Sequence, residues 1–150
     1  MRKRIVLDAN IYASALMNPE GTPARVFRNV LEKQQYELVL SQPILEELHR
    51  VLFYPKVRKR IPRSDDDIAL FLHAISISAH LTIESHRYDV LVEEDPDDDI
   101  YLIAALDSRA RYLVSGDKHL LKIGQIEEIK IVTATEFLSY DPMAPACSSF

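Results

Sequence analysis

One cysteine and three glycines in 150 residues, with no hydrophobic run of membrane length, remove several classes of protein at once. The single cysteine, Cys147, stands in the closing stretch "DPMAPACSSF" and cannot form an internal disulfide, so a disulfide framework is excluded. So few glycines leave neither a Walker A loop nor a GxGxxG fingerprint, and nucleotide binding of those kinds goes with them. No stretch approaches the roughly 18 apolar residues of a membrane-spanning helix. The start "MRKRIVLDAN" is basic, but its apolar run before Asp8 is too short for a signal-peptide core, and a cytoplasmic location is expected. Among the histidines, His49, His73, His80, His86 and His119 form no HxxxH and no Ser-His-Asp pattern; His49 and His73 read as helix-surface residues. Internal repeats and low-complexity segments are absent.

What remains is 47% hydrophobic and 27% charged, the composition of one globular domain, expected over residues 1–140 with a flexible tail over 141–150. A net charge of −5 argues against coating nucleic acid by charge alone. The charge is uneven. "PKVRKRIPR" (55–63) holds five cations and no anion and reads as a solvated loop between two helices, whereas "EEDPDDD" (93–99) holds six anions around one proline.

"RIVLD" is apolar and β-branched without alternation, as in a strand covered on both faces. "TPARVFRNVLEKQQ" reads as a helix capped by Thr22 with Pro23 at its first position. "YELVL" is a second strand, and "SQPILEELHRVLFYP" a helix from a Ser41 cap to a Pro55 stop. Behind Ser64 and three acids, Ile68, Phe71, Leu72, Ile75 and Ala79 form a helical stripe. A short strand "LTIE" follows, then a helix from about Asp98 to Arg109 capped by Asp97, a strand "YLVS", a short helix "KHLLKI", a strand "IKIV" and a closing helix "TATEFLSY". The order predicts an α/β fold, a central mostly parallel sheet of about five strands with helices on both faces.

In such sheets the functional crevice lies beyond the carboxyl ends of the strands, and Asp8 and Asp117 both follow strands there. On the helix "ILEELHRVL", Glu46 falls opposite the apolar stripe while Glu47 lies at its flank, free to lean toward a cleft. In "DPDDDIYLIAAL", Asp99 extends the inward line of Ile103, Leu106 and Ala110, with Asp98 beside it; each of these acids can also serve as a helix cap. Converging carboxylates repel one another unless a cation neutralises them. Oxygen-only donors suit Mg²⁺ or Mn²⁺ rather than Zn²⁺, and such a site suits phosphodiester chemistry.

"IVLDANIYASAL", "SQPILEELHRVL", "DPDDDIYLIAAL" and "ARYLVSGDKHLL", in that order, resemble a PIN domain over roughly residues 4–138, and most closely the branch named as toxin components of toxin–antitoxin systems. The resemblance implies an Mg²⁺- or Mn²⁺-dependent ribonuclease leaving a 5′-phosphate and a 3′-hydroxyl. Asp8 matches its first metal-binding acid and Asn10 the polar residue that follows. Glu47 matches the second acid, Asp98 the third with Asp99 the choice of the helical wheel, and Asp117 the fourth; Ser115 stands where threonine or serine is usual. Lys118, and Lys56, Arg58, Lys59 and Arg60 of the basic run, are candidate phosphate contacts. An antitoxin protein as partner and a homodimer through exposed helix faces are further implications. Tyr12, Tyr101 and Tyr112 read as core or rim. A haloacid-dehalogenase-like phosphatase is the weaker enzyme alternative, since Asn10 and Ile11 stand where that family has a second aspartate and then glycine. A response-regulator receiver fails for want of paired acids near the start. A non-catalytic α/β module acting through a protein partner is the remaining alternative.

Overall fold

An unalternated apolar strand needs cover on both faces, and Ile5, Val6 and Leu7 receive it, each fully buried in a computed structural model that describes residues 2–83 and 99–140. The chain runs β1 (Lys3–Leu7), α1 (Ala9–Met17), α2 (Thr22–Glu32), β2 (Tyr36–Leu40), α3 (Gln42–Leu52), α4 (Pro55–Arg58), α5 (Asp65–Ser78) and β3 (His80–Leu81). It continues as α6 (Asp99–Ser108), β4 (Tyr112–Val114), α7 (Lys118–Ile123), β5 (Gln125–Ile126), β6 (Ile129–Val132) and α8 (Ala134–Tyr140). The six strands form one sheet in the order β3-β2-β1-β4-β6-β5, parallel throughout except that β5 runs antiparallel to β6.

Helices cover both faces. Phe137 of α8 packs its ring 5.4 Å from Tyr36 and 5.5 Å from Tyr112, the face that Ile5 shares with Tyr112. Arg4 points the other way, because neighbouring strand residues alternate, and its guanidinium donates to the Ser108 carbonyl of α6 at 2.9 Å. Tyr12, Phe27 and Phe71 tie α1, α2 and α5 together with ring centroids 5.3–6.5 Å apart.

From β1 the chain builds outward to β2 and β3, then returns beyond β1 to β4 and builds the other way to β6. The carboxyl ends of β1 and β4 therefore flank the point where strand order reverses, which is where open α/β sheets form a crevice. With Leu7 opposite Val114, the next residues, Asp8 and Ser115, arrive side by side.

Several sequence expectations shift. The sheet has six strands rather than about five, because β5 joins through a turn at Glu127, whose φ is +52°. The third strand holds His80 and Leu81, so Thr82 and Ile83 of "LTIE" lie beyond it. Helix α1 is an addition: the sequence reading ends the first strand at Asp8 and assigns the residues that follow to no element. The cap of α2 is Gly21, in extended backbone, and Thr22 with Pro23 occupies the first turn, where proline's missing N–H is harmless. Ser41 and Ser64 cap α3 and α5 as expected, each hydroxyl accepting a backbone N–H. Replacing Ser64 by alanine removes that bond and should cost about 1 kcal/mol, read as a lowered urea midpoint with an unchanged slope.

The basic run is not a solvated loop. It forms α4 and a turn around Ile61, 3% exposed, which joins Ala13, Leu52 and Ile68 in a second apolar cluster. Arg58 holds this turn, donating to the Ile61 and Arg63 carbonyls and to Asp65 at 2.6 Å, so it is engaged in structure rather than free for phosphate. No helix among the described residues is long and apolar enough to cross a membrane. The expected Asp97 cap, Asp98, His86, most of the acidic run and the 141–150 tail lie outside the described residues.

Candidate active site

Asp8 ends β1 and caps α1: its Oδ1 accepts the Ile11 N–H at 3.1 Å, and its own N–H donates to the Val114 carbonyl at 3.2 Å. The side chain is all but sealed, with Asp8 3% exposed. Its other oxygen, Oδ2, accepts a hydrogen bond from the Ser115 hydroxyl. That hydroxyl in turn accepts the Asp117 N–H at 2.9 Å, and Asp117 caps α7 by accepting the His119 N–H at 2.7 Å. One continuous chain of bonds thus links the ends of β1 and β4 through Asp8, Ser115 and Asp117.

Burial pushes the Asp8 carboxyl above the ordinary carboxylate range. The Ser115 hydroxyl and the N–H groups of Ile11 and Asn10 oppose that rise, while the negative charge of Asp117 adds to it. Hydrogen bonding alone therefore leaves the ionised form of Asp8 short of compensation.

The first turn of α6 reaches toward both remaining parts of the predicted site. The Tyr101 hydroxyl accepts the Ala9 N–H at 3.1 Å, next to Asp8, and Ile100 shares a surface depression with Glu47, Arg50 and Pro43. Glu47 is half-buried and Glu46 exposed, as their wheel positions required. Arg50 donates to Glu47 Oε1 at 2.6 Å through Nε. Sequence reasoning passed over this pair, although its i,i+3 spacing is visible. Asp99 is the first residue of α6, and Asp98 falls outside the described residues.

Asn10 and Lys118 occupy exposed positions in the first turns of α1 and α7, flanking the two capping acids. Tyr12, Tyr101 and Tyr112 are all buried. Among the described residues the Tyr12 hydroxyl has no hydrogen-bond partner, and its pKa is raised by burial and then by the neighbouring Tyr101 and Asp8. Gly116 is not sterically required, since a Cβ there would meet nothing within 4 Å. His49 and His73 are exposed helix residues, as expected.

Among the described residues no group of three or more potential metal ligands converges. The donors present still fit a hard divalent cation: Asp8 and Asp117 are carboxylates close enough to repel, held by hydroxyl and amide donors. Ser115 acts on both, so if these acids hold a cation Ser115→Ala should weaken its binding about 10–100-fold, the usual cost of losing a supporting hydrogen bond. Calorimetric titration with Mn²⁺ checks this.

A family model described as "PIN domain" matches residues 4–119. The chain is also similar to the uncharacterized protein MJ1680 of Methanocaldococcus jannaschii, 29% identical over 144 residues, covering 90% of this chain and 89% of that protein.

Proposed function

The chain belongs to the PIN-domain family, whose fold is of nuclease type, and on that premise we propose that it is an Mg²⁺- or Mn²⁺-dependent endoribonuclease hydrolysing RNA phosphodiester bonds. The observation that carries the reading is the bonded chain Asp8–Ser115–Asp117 at the reversal of strand order, with Asp8 buried and short of positive charge.

Asp8 and Asp117 would hold the cation, with Asp99 at the start of α6 or its sequence neighbour Asp98 as the third acid. A divalent cation held there would supply Lewis-acid stabilisation of the phosphodiester oxygens and activation of water. The Ser115 hydroxyl fixes the Asp8 carboxylate and the start of α7 in one arrangement. Glu47 positions the water, and its pairing with Arg50 holds it at the rim until substrate competes for the arginine. Asn10, Lys118, Lys56, Lys59 and Arg60 contact substrate phosphates.

The test is cleavage of a mixed-sequence labelled RNA in Mg²⁺, Mn²⁺ or EDTA. Metal-dependent products bearing 5′-phosphates support the proposal. Absence of cutting together with absence of calorimetric metal binding overturns it in favour of a binding module whose acids are caps.

The proposal extends to a toxin role, with an antitoxin covering the acidic groove. Expression of the protein alone should arrest growth, and co-expression of a small neighbouring reading frame should relieve it. A homodimer is also proposed, through the outward face of α5, where Leu70 and Ile77 are 65% and 71% exposed. Sedimentation of Leu70→Glu against wild type reads this directly.

A further inference from the structure

At the opposite end of the strands from Asp8, where β1 and β4 begin, a cavity of about 620 Å³ is lined by Arg2, Lys3, Arg4, Arg109 and Arg111 and by two acids, Glu37 and Glu128. Five cations in one cleft of a chain whose net charge is −5 form a local field opposite in sign to the whole. Two of the five are already committed. Arg2 donates to the Gln34 and Tyr36 carbonyls, Arg4 to the Ser108 carbonyl, and both pair with Glu37, at 3.9 and 3.2 Å.

Lys3, Arg109 and Arg111 are exposed and form no ion pair among the described residues, leaving Glu128 as the one lining acid not paired with an arginine. Arg109 also holds a φ of +58° at the end of α6, the left-handed conformation in which helices usually place glycine. An arginine occupies it here, and its side chain lines the cleft.

We propose that this cleft is a phosphate-binding site, taking the phosphate of a nucleotide or of an RNA strand. Guanidinium forks match phosphate oxygens in bidentate geometry, and the volume lies within the range of small-molecule sites, roughly 300–1,000 Å³. Arg2 and Arg4 are held by backbone carbonyls; Arg109 and Arg111 supply the unneutralised charge. The cleft lies a strand length from Asp8, roughly 17 Å at about 3.3 Å per residue, so a phosphate held there is not the one placed for cleavage. The inference stands whether or not the acidic site cuts RNA.

Binding of 5′-AMP by calorimetry and of a short fluorescein-labelled single-stranded RNA by anisotropy, both in EDTA, tests the site. Arg109→Gly/Arg111→Gln removes two cations and gives position 109 the residue its backbone favours. Affinity should fall about tenfold or more, and the log–log salt slope for RNA should shrink by about 1.4, near 0.7 for each lost contact. Arg111→Gln alone, at an exposed position, repeats the reading should the double variant fold poorly. Loss for both probes identifies a nucleotide phosphate, and loss for RNA alone identifies a strand-borne one. Wild-type affinity in the folded variants, or no binding of either probe by wild type, overturns the proposal.

Discussion

Asp8→Asn is expected to lower metal-dependent RNA cleavage by about three orders of magnitude, the upper range for removing one electrostatic stabiliser of a transition state, while making the metal-free protein more stable. The two effects share one cause. Asp8 is enclosed, and the donors reaching it do not offset the loss of water around its charge. Its pKa is therefore raised in the fold, and folded protein holds that proton more tightly than unfolded chain does. The sign follows: for this group, metal-free stability is greatest where the carboxyl is protonated in both states. It declines as pH rises from the ordinary carboxylate range through the raised folded value. Asparagine stays neutral throughout and keeps a side-chain oxygen for the Ile11 N–H, so the decline is missing from the variant. Urea midpoints in EDTA between about pH 4 and pH 8 should diverge, with the variant above wild type at the upper end. Saturating Mg²⁺ should reverse that order, since a cation at about one hundred times its Kd adds about 2.7 kcal/mol to the protein that binds it. A variant that cuts like wild type, or a wild type indifferent to Mg²⁺, would remove Asp8 from the metal site.

Much of the fold could be read from local rules, and where reading failed the reasons are physical. Ser41 and Ser64 announced their helices because a hydroxyl before an apolar stripe has few other uses. Glu47 separated from Glu46 because helical geometry alone puts one at the flank. Helix α1 was hidden because an aspartate within an apolar run can end a strand and cap a helix at once, and Asp8 does both. The turn after α4 was missed because Val57 and Ile61 are set among five cations and make no helical stripe, and the burial of Ile61 depends on Ala13, Leu52 and Ile68, which only tertiary contact brings to it. Tyr101 gave no sign that its hydroxyl would take the Ala9 N–H, 92 residues away in sequence. Pairing of Asp8 with Ser115 was likewise beyond sequence reasoning, since it depends on the register that sets Leu7 against Val114. Asp99, the choice of the helical wheel, opens α6, and Asp98 lies outside the described residues.

Asp117→Asn separates charge from architecture at the other end of the same chain of bonds. Asp117 caps α7 through a carboxylate oxygen that accepts the His119 N–H, and asparagine caps about as well. Folding stability should thus stay within about 0.5 kcal/mol of wild type, whereas Asp117→Ala loses the cap as well and should fall by about 1 kcal/mol. Activity separates differently. On the proposed metal-dependent reading either substitution removes a carboxylate of the cation site, so both should lose on the order of 10²–10³ in cleavage rate. The residue that remains should also change: without the Asp117 charge beside it, one of the influences raising the Asp8 pKa disappears. The metal-free pH dependence of stability should flatten part of the way toward that of Asp8→Asn. Joining the two asparagine substitutions then discriminates sharply. If both carboxylates hold one cation, the double variant should be scarcely slower than either single variant, because groups acting as a unit are strongly non-additive. Rate losses that simply multiply would mean that Asp8 and Asp117 act independently, leaving the hydrogen-bonded chain through Ser115 as structure without shared chemistry.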